Sequence, residues 1–393
     1  MQYIIGVAGL ALVFGMAFIV SNDRKKIKYR PILTMLVLQF VLGFLLLNTS
    51  AGNVLISTIA NGFTALLNCA REGINFVFGR LANPDDPIFF MSVLMPITFI
   101  SALIGILQHW HILPFIIKYI GLALSKVNGM GKLESYNAVA SAILGQSEVF
   151  ISVKKLLGPL PPNRLYTLCA SAMSTVSMSI VGAYMVMIEP KYVVTALVLN
   201  LFGGFIIASI INPYEVKPED DILVVAETKR QSFFEMLGEY ILDGFKVGVI
   251  VCAMLIGFVC IIKLNNNLFL GIIGISFQEI LGYLFSPFAF FMGIPMAECV
   301  DAASLMATKI VANEFVAMMQ LSSGTVILSA KSVAIVSIFL VSFANFSSIG
   351  IIAGAVKALN EEKGNVVACF GLRLLYGTTL VSILNATIVG LII

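Results

Sequence analysis

Two apolar stretches of the 393-residue chain are each interrupted near the middle by a polar tetrad. The stretch Gly131–Leu160 contains GQSE at residues 145–148, and the stretch Phe285–Lys331 contains ANEF at residues 312–315. Inside a bilayer, such interruptions are tolerated only where the irregular backbone is buried in protein or lines a cavity. The pattern therefore predicts two re-entrant helical hairpins with polar tips.

The composition around these stretches is that of a membrane protein. Apolar residues make up 59% of the chain and charged residues 11%, against roughly 25% charged in globular proteins, and the mean hydropathy is +1.00. Apolar runs near the length of a bilayer span recur from end to end. A soluble enzyme or binding domain is excluded. The stretch Met1–Val20 lacks a basic leader and a small-residue cleavage site, so we expect a first span rather than a signal peptide.

Eight spans are predicted. They are Met1–Val20, Pro31–Leu47, Met91–Leu107, Leu168–Ile188, Val193–Ile211, Phe245–Ile262, Val333–Val356 and Gly377–Ile393. The stretches Leu55–Arg80 and Trp110–Leu124 are amphipathic or short, which favours interfacial helices. The charged segment Tyr214–Tyr240 is expected to be a cytoplasmic linker between two halves of the chain.

The positions of basic residues orient these spans. An even number of spans places both termini on one side, and an external N-terminus puts all but six of the 24 Lys and Arg residues in the cytoplasm. The six on the outside are Arg71, Arg80, Lys191, Lys263, Lys309 and Lys331. This distribution follows the positive-inside rule and predicts that both termini are external.

An internal repeat connects the two hairpins. Glu148 is followed about 30 residues later by the polar run Ser174–Ser179, and Glu314 is followed at a similar distance by Ser342–Ser348. The unit of hairpin, broken helix and span thus occurs twice, with the two hairpins opening to opposite sides. The predicted fold class is an all-α polytopic membrane protein with eight transmembrane helices, two re-entrant hairpins, interfacial helices and an inverted-repeat transport domain.

Four segments follow from this organisation. They are 1–125 (N-terminal spans and interfacial helices, part of a scaffold), 126–212 (first repeat), 213–284 (linker, scaffold span and interfacial helix) and 285–393 (second repeat).

The two tetrad glutamates are the candidate functional residues. A carboxylate at the bilayer midplane costs a few kcal/mol, so Glu148 and Glu314 must be paired, solvated by a cavity or protonated. Structural pairing is the simpler alternative to a functional role. Neighbouring amides and hydroxyls favour a neutral ligand rich in such groups, because a carboxylate accepts from sugar hydroxyls and an amide pairs with the edge of a base. Phe343 offers an aromatic face for stacking.

Other classes of protein fit the sequence less well. An intramembrane enzyme could use two buried carboxylates, but no nucleophile-base motif, metal-binding HExxH or phosphate loop accompanies them. A passive channel is disfavoured because hairpins that close from opposite sides indicate gates. For Ser174, Ser177, Ser179 and Ser347, the alternative to ligand binding is that their hydroxyls satisfy freed backbone groups.

The motifs resemble those of the concentrative nucleoside transporter family, and most closely its bacterial NupC-type branch. The matching segments are Gly129–Ser135 (GMGKLES), the GQSE tetrad, Ser174–Tyr184, Asn313–Ala317 (NEFVA) and Ser342–Ser348 (SFANFSS). The resemblance covers essentially the whole chain. It implies a homotrimer in the cell membrane whose protomers each move a nucleoside by an elevator-like shift of the repeat domain.

The resemblance also implies a set of site residues. Gly145, Gln146, Ser147 and Ile180 would contact the nucleobase, Glu148 would reach it through water, Glu314, Asn345 and Ser348 would hold the ribose, and Phe343 would lie beside the nucleoside. The expected substrates are uridine, cytidine or adenosine, with guanosine disfavoured because Gln146 suits a pyrimidine edge. We expect the bilayer as the other partner, and no cofactor, metal or nucleic acid.

The coupling ion is where this chain departs from part of the family. Sodium-coupled members carry an Asn four residues before the Gly of the first tetrad, with further sodium ligands equivalent to Leu144, Thr175 and Val176. Here that position is Ser141. NupC-type permeases share this change and are proton-coupled, so we expect proton symport with Glu148 or Glu314 as the carrier. Sodium coupling stays open as the alternative.

Overall fold

A computed structural model describes residues 2–82, 88–216, 221, 223 and 232–393, which form helices joined by turns. The described residues of the N-terminal part include five α-helices, and a π-helical turn at Phe90–Leu94 precedes the fourth. They are α1 (Gln2–Ile19), α2 (Tyr29–Asn48), α3 (Ser50–Phe78), α4 (Pro96–His109) and α5 (Ile112–Asn128).

The first repeat follows directly. Its helices are α6 (Lys132–Leu144), α7 (Val149–Ser152), α8 (Lys154–Leu157), α9 (Pro162–Ser174), α10 (Met178–Met187) and α11 (Pro190–Ile211). The hairpin consists of α6, the tetrad turn and the short helices α7 and α8. Helices α9 and α10 are the two halves of one broken helix, as the sequence predicts.

The second repeat is preceded by two further helices, α12 (Phe233–Ile273) and α13 (Phe277–Phe291). Its own helices are α14 (Cys299–Val311), α15 (Glu314–Ser322), α16 (Ala330–Leu340), α17 (Phe346–Leu359), α18 (Glu361–Cys369) and α19 (Gly371–Ile392). The order of hairpin, broken helix and long helix therefore recurs, with α18 inserted.

The second hairpin is shorter than its apolar stretch predicts. It begins at Cys299, because the stretch from Phe285 contains the end of α13 and a chain reversal at Gly293 (φ +97°) and Pro295. Hydropathy alone does not separate two packed apolar helices. The hairpin ends at Ser322, before α16 starts at Ala330.

Seven described helical segments are long and apolar enough to cross a bilayer. Six overlap predicted spans, and the seventh, Ser50–Ala82, contains the stretch that the sequence assigns to the interface. Since length and composition admit both placements, the interfacial assignment stays a prediction. The first and seventh predicted spans correspond to the short helix α1 and to the two halves α16 and α17.

Burial divides the helices into two groups. Each of these spans contains an 18-residue apolar stretch, of which the buried share is 78% in α9–α10, 72% in α11 and 72% in α19. In the 41-residue α12 the buried share is only 17%. Glycines allow α12 to approach α4 closely, because Gly105 of α4 lies against Tyr240 and Gly244 of α12 lies against Thr98 and Ser101. Its other faces carry exposed apolar side chains, which suit contact with lipid or with another protomer.

The first two helices pack against the repeats. Both α1 and α2 lie against α11 and α19, which are the long helices of the two repeats. Packing contacts alone do not assign a helix to a scaffold or to a transport domain, so the predicted division of the chain stays a proposal.

About half of the predicted linker at 214–240 lies outside the described residues. Its last part is helical, because Ser232 caps α12 through a capping box with Glu235. Tyr214 donates to Glu134 (Oη–Oε1, 3.2 Å) beside the buried ion pair between Glu134 and Arg164 (Oε1–Nε, 2.6 Å). These contacts join α6 to the start of α9.

Candidate functional site

Gly145 shapes the tip of the first hairpin. Its φ of +121° is a conformation that other residues rarely adopt, and its N–H ends α6 by donating to the Ser141 carbonyl (3.0 Å). A Cβ atom at this position would lie 2.6 Å from Glu148 Oε2 and 3.2 Å from Ser177 Cβ. Glycine therefore allows the hairpin tip to approach the break between α9 and α10.

Glu148 lies at this tip and is exposed. Its Oε2 accepts from the Ser147 hydroxyl (3.0 Å), and it interacts electrostatically with Asp243 and Tyr240 on α12. The described contacts give it a hydroxyl donor but no cation. The carboxyl group is therefore accessible to protons and to water.

Glu314 occupies the matching place in the second repeat but is buried. It is the first residue of α15, whose N-terminus is capped by Asn313 Oδ1, an acceptor for Val316 N (3.0 Å). Its two carboxylate oxygens accept from different elements, Oε1 from the Tyr184 hydroxyl (2.8 Å) and Oε2 from Asn345 Nδ2 (3.0 Å). Glu314 thus links the second hairpin to both broken helices.

The orientation of the Asn345 amide follows from its other contacts. Asn345 caps α17, and its Oδ1 accepts from Ser348 N (2.9 Å) and from the Ser347 hydroxyl (2.7 Å). The nitrogen must then face Glu314. Three residues predicted around the ribose, Glu314, Asn345 and Ser348, therefore form one cluster in the structure.

Two buried polar atoms in the site have no hydrogen-bond partner among the described residues. They are Gln146 Oε1, in the first hairpin, and Ser348 Oγ, in the second broken helix. A buried polar atom without a partner costs about 1–3 kcal/mol, so water or a polar ligand group at these atoms is favourable.

The breaks of the two repeats touch each other. Phe343 N donates to the Thr175 carbonyl (3.1 Å), and the chain turns at Val341 (φ −77°, ψ 73°) with Ser342 N bonded to the Leu340 carbonyl (2.8 Å). The Val341 carbonyl accepts from Asn200 Nδ2 on α11 (2.7 Å). Ile180 and Phe343 are both buried at these breaks.

Asn200 belongs to a chain of buried amides. Asn385 Nδ2 donates to Asn200 Oδ1 (2.7 Å), and Gln39 Nε2 donates to Asn385 Oδ1 and to the Leu199 carbonyl (both 2.8 Å). This chain connects α2, α19 and α11 to the second break. Sequence analysis does not identify it, since each amide stands alone in an apolar helix.

The four positions equivalent to a sodium site lie at the end of α6 and in the first break. Ser141 donates to the Asn137 carbonyl (2.6 Å), and Thr175 donates to the Ser171 carbonyl (3.1 Å). Ser141, Thr175 and Val176 are buried, and Leu144 is half-buried. The elements that carry them, α6 and α9, pack together.

Tyr184 and Lys309 were missed as site residues. Tyr184 falls within a recognised motif but has no role assigned from sequence, and its ring also packs edge-on against Phe315 (5.1 Å between centroids). Lys309 was counted among the external basic residues. It is instead fully buried in α14, where its Nζ donates to the Phe339 carbonyl. Its position five residues before Glu314 is the sequence signal that could have identified it as a site residue.

A cavity of about 710 Å³ lies elsewhere, between the end of α12, the start of α13 and the second hairpin. Among its lining residues are Gln278, Glu279, Asp301 and Gln320. Gln278 also bonds across to the hairpin through Thr308 Oγ1 (3.1 Å). Since α15 runs from Glu314 to Ser322, this cavity meets the helix at the end away from the glutamate.

Two hairpins, two broken helices in contact and buried polar groups at the breaks define a helical secondary transporter. Three family models match in succession: "Na+ dependent nucleoside transporter N-terminus" at residues 8–81, "Nucleoside recognition" at 90–191 and "Na+ dependent nucleoside transporter C-terminus" at 192–390. The chain belongs to the concentrative nucleoside transporter family, whose relatives here are transporters and not enzymes.

Relatives and solved structures match along the full length. The chain is 37% identical to the purine nucleoside transport protein NupG of Bacillus subtilis, with 100% of both chains covered. It is 31% identical to the nucleoside permease NupC of Helicobacter pylori, covering 98% of this chain and 97% of NupC. The inward-facing, substrate-bound structure of CNTnw matches with a TM-score of 0.94 and 27% identity, covering 100% of this chain and 99% of CNTnw. An outward-facing CNTnw double variant also gives a TM-score of 0.94, at 28% identity, covering 100% and 98%.

Proposed function

We propose that this protein imports nucleosides by proton symport, through an elevator-like movement of the repeats. The observation that carries the proposal is the Glu314 cluster, in which a buried carboxylate, an amide and a serine from one repeat face Tyr184 of the other. Gln146 Oε1 and Ser348 Oγ add two polar atoms that have no hydrogen-bond partner among the described residues. This mixture of groups suits the hydroxyls of a sugar and the edge of a base.

The roles of the site residues are proposed as the resemblance implies them. Glu314, Asn345 and Ser348 hold the ribose, and Phe343 lies beside the nucleoside. The base is bound by Gly145, Gln146, Ser147 and Ile180, with Glu148 acting through water. In support, Glu314 and Asn345 are already oriented toward each other, and Glu148 is open to water.

Adenosine is the substrate on which two arguments agree. Gln146 suits the edge of a pyrimidine, and some of the pyrimidine-preferring members that the chain resembles also accept adenosine, whereas the relative from Bacillus subtilis is named a purine nucleoside transport protein. Competition of labelled adenosine uptake by unlabelled uridine and guanosine separates the two preferences. Strong inhibition by uridine supports pyrimidine nucleosides as co-substrates, and strong inhibition by guanosine would instead support a purine-specific site.

Protons are the proposed coupling ion because Ser141 replaces the amide found in sodium-coupled members. One charge moving down 100 mV supplies about 2.3 kcal/mol, which is enough for about 50-fold accumulation. Sodium is the second candidate, favoured by the description of the matching family models. If Glu148→Gln and Glu314→Gln both retained uptake driven by a pH gradient, neither glutamate would be the proton carrier.

The proposed assembly is a homotrimer in the cell membrane with both termini outside. The exposed apolar faces of α12 and the stretch Leu268–Met292 offer surface for a protomer contact. Mass measurement of the purified protein in nanodiscs tests the trimer, and labelling of a cysteine placed at either terminus tests the orientation.

A further inference from the structure

Lys309, in the second hairpin, is fully buried, and the proposed function gives it no role. Its Nζ lies 2.6 Å from the Phe339 carbonyl, 2.6 Å from Ser342 Oγ and 3.0 Å from Ser382 Oγ. It also lies 4.5 Å from the centroid of the Phe339 ring. These contacts join α14 to the second break and to α19.

The surrounding oxygens suit an ammonium group. Three of them lie within hydrogen-bond distance of Lys309 Nζ: the Phe339 carbonyl, Ser342 Oγ and Ser382 Oγ. The two serines also contact each other (3.0 Å), and either hydroxyl can donate in that contact. An ammonium group has three hydrogens, one for each of these acceptors.

The location of this cation explains two features of the site. The last carbonyls of α16 have no partner within the helix and form its negative end, so an ammonium group there stabilises the break. The same charge interacts electrostatically with Glu314, which accepts hydrogen bonds on both oxygens in the manner of an ionised carboxylate. The two buried charges of the second repeat therefore balance.

The first repeat lacks such a balance. On its hairpin, Asn137 makes the comparable contacts, donating to the Leu168 carbonyl (3.0 Å) and to Ser171 Oγ (2.9 Å). An amide is neutral, and the charged neighbour described near Glu148 is the acidic Asp243. A proton can therefore neutralise Glu148, whereas Lys309 already neutralises Glu314.

Building on the proposed function, we infer that Lys309 is a positioning residue, a fixed internal cation that holds the second break and keeps Glu314 as an anionic acceptor for the ribose. Glu148 is then the proton carrier of the symport. Lys309 acts through Phe339, Ser342 and Glu314 and need not touch the substrate.

The experiment measures nucleoside binding to purified protein by calorimetry between about pH 6 and pH 8.5, for Lys309→Met, Lys309→Met/Glu314→Gln and the control Lys331→Met. Without the cation, a buried Glu314 binds a proton at low pH and regains its charge as the pH rises. We therefore expect Lys309→Met to bind adenosine about 10-fold more weakly than wild type near pH 6, with partial recovery near pH 8.5. Lys331 is the second residue of α16, at the end of the helix away from the cluster, and its variant is expected to show neither effect.

The titratable group in direct contact with Glu314 is the Tyr184 phenol on α10, which ordinarily titrates near pH 10, above the range of the experiment. On α16, α17 and α19 the groups around the two charges are a carbonyl, an amide and hydroxyls. Helix α13 presents Gln278 to α14, and the acidic Glu279 and Asp301 line the outer cavity. Low-pH changes in binding that appear only in Lys309→Met therefore report Glu314.

A loss of affinity in Lys309→Met that is equal at every pH would overturn the inference, because it would indicate packing alone. If Lys309→Met does not fold, recovery of folding in the double variant supports charge balance, and failure of both variants contradicts it. Absence of adenosine binding by wild type would overturn the proposed function as well.

A second measurement tests the carrier. Glu148→Gln is expected to lose the stimulation of net uptake by an inward proton gradient, measured as the ratio of uptake with and without the gradient so that weaker binding of the base affects both terms equally. If Glu314→Gln loses the stimulation by the proton gradient and Glu148→Gln retains it, the second repeat carries the proton and the inference is overturned.

Discussion

Tyr184 is the residue through which the first repeat contacts the carboxylate of the second. Its hydroxyl donates to Glu314 Oε1 at 2.8 Å, and its ring is held by the edge-on contact with Phe315. Replacement by phenylalanine keeps the ring and removes the donor. We expect Tyr184→Phe to weaken adenosine binding about 10-fold, since an unsatisfied buried acceptor costs about 1–3 kcal/mol.

The matched control is Tyr376→Phe, which removes a hydroxyl bonded to the Met16 carbonyl (3.1 Å) outside the site. Calorimetry on both purified variants compares them. Equal affinities for Tyr184→Phe and wild type would mean that the hydroxyl does not support the binding form of Glu314.

Gly145 is the residue whose backbone conformation is most demanding. Alanine at φ +121° is strained, and its Cβ would collide with Glu148 Oε2. We expect Gly145→Ala to fold but to lose most nucleoside uptake, because the hairpin tip must move away from the first break. Gly350→Ala, placed in open space on α17, is the control and should transport normally.

Uptake of labelled adenosine by cells, normalised to the amount of folded protein by gel filtration, compares the two glycine variants. Wild-type uptake by Gly145→Ala would contradict the described geometry of the tip.

Helices α17 and α18 both begin with an asparagine cap, but the two caps differ in their other contacts. Asn345 Oδ1 accepts from Ser348 N (2.9 Å), and Asn360 Oδ1 accepts from Lys363 N (3.0 Å). Alanine at either position costs roughly 1 kcal/mol of stability. Only Asn345 also donates to Glu314, so only Asn345→Ala is expected to lose adenosine binding.

Thermal unfolding and calorimetry on Asn345→Ala and Asn360→Ala separate the two effects. Comparable stability losses with a binding defect confined to Asn345→Ala are predicted. A similar binding defect in both variants would show that the helix start, and not the amide, matters.

The breaks and hairpins could be predicted because polar residues in apolar helices are rare and costly. The tetrads and the serine-rich runs marked four interruptions, all of which occur in the structure. Boundaries inside continuous apolar sequence could not be predicted in the same way. The reversal between α13 and α14, at Gly293 and Pro295, lies in such a stretch.

The contacts of single polar residues were equally hidden. In the sequence, Lys309 resembles an external basic residue, because its contacts with Ser342 and Ser382 form only in the folded chain. The amides of Gln39, Asn200 and Asn385 contact each other in the structure but lie far apart in sequence. The packing of α1 and α2 against the repeats is another tertiary property that hydropathy does not encode. The sequence thus predicted candidate site residues, and only the fold showed their hydrogen-bond partners.

The two repeats have different proposed roles in the transport cycle. The second repeat holds a charge-balanced cluster around Glu314, and the first presents an accessible Glu148 at its hairpin tip. In the proposed mechanism, the repeats carry nucleoside and proton together past the α4–α12 pair.

The most direct test is uptake of labelled adenosine into proteoliposomes of the purified protein, under an inward proton gradient without sodium and then under a sodium gradient at equal pH. Accumulation above the external concentration with protons alone is the predicted result. Accumulation that requires sodium would contradict proton coupling while leaving the family and the fold in place, and failure to accumulate adenosine or any competing nucleoside under either gradient would contradict the proposed function itself.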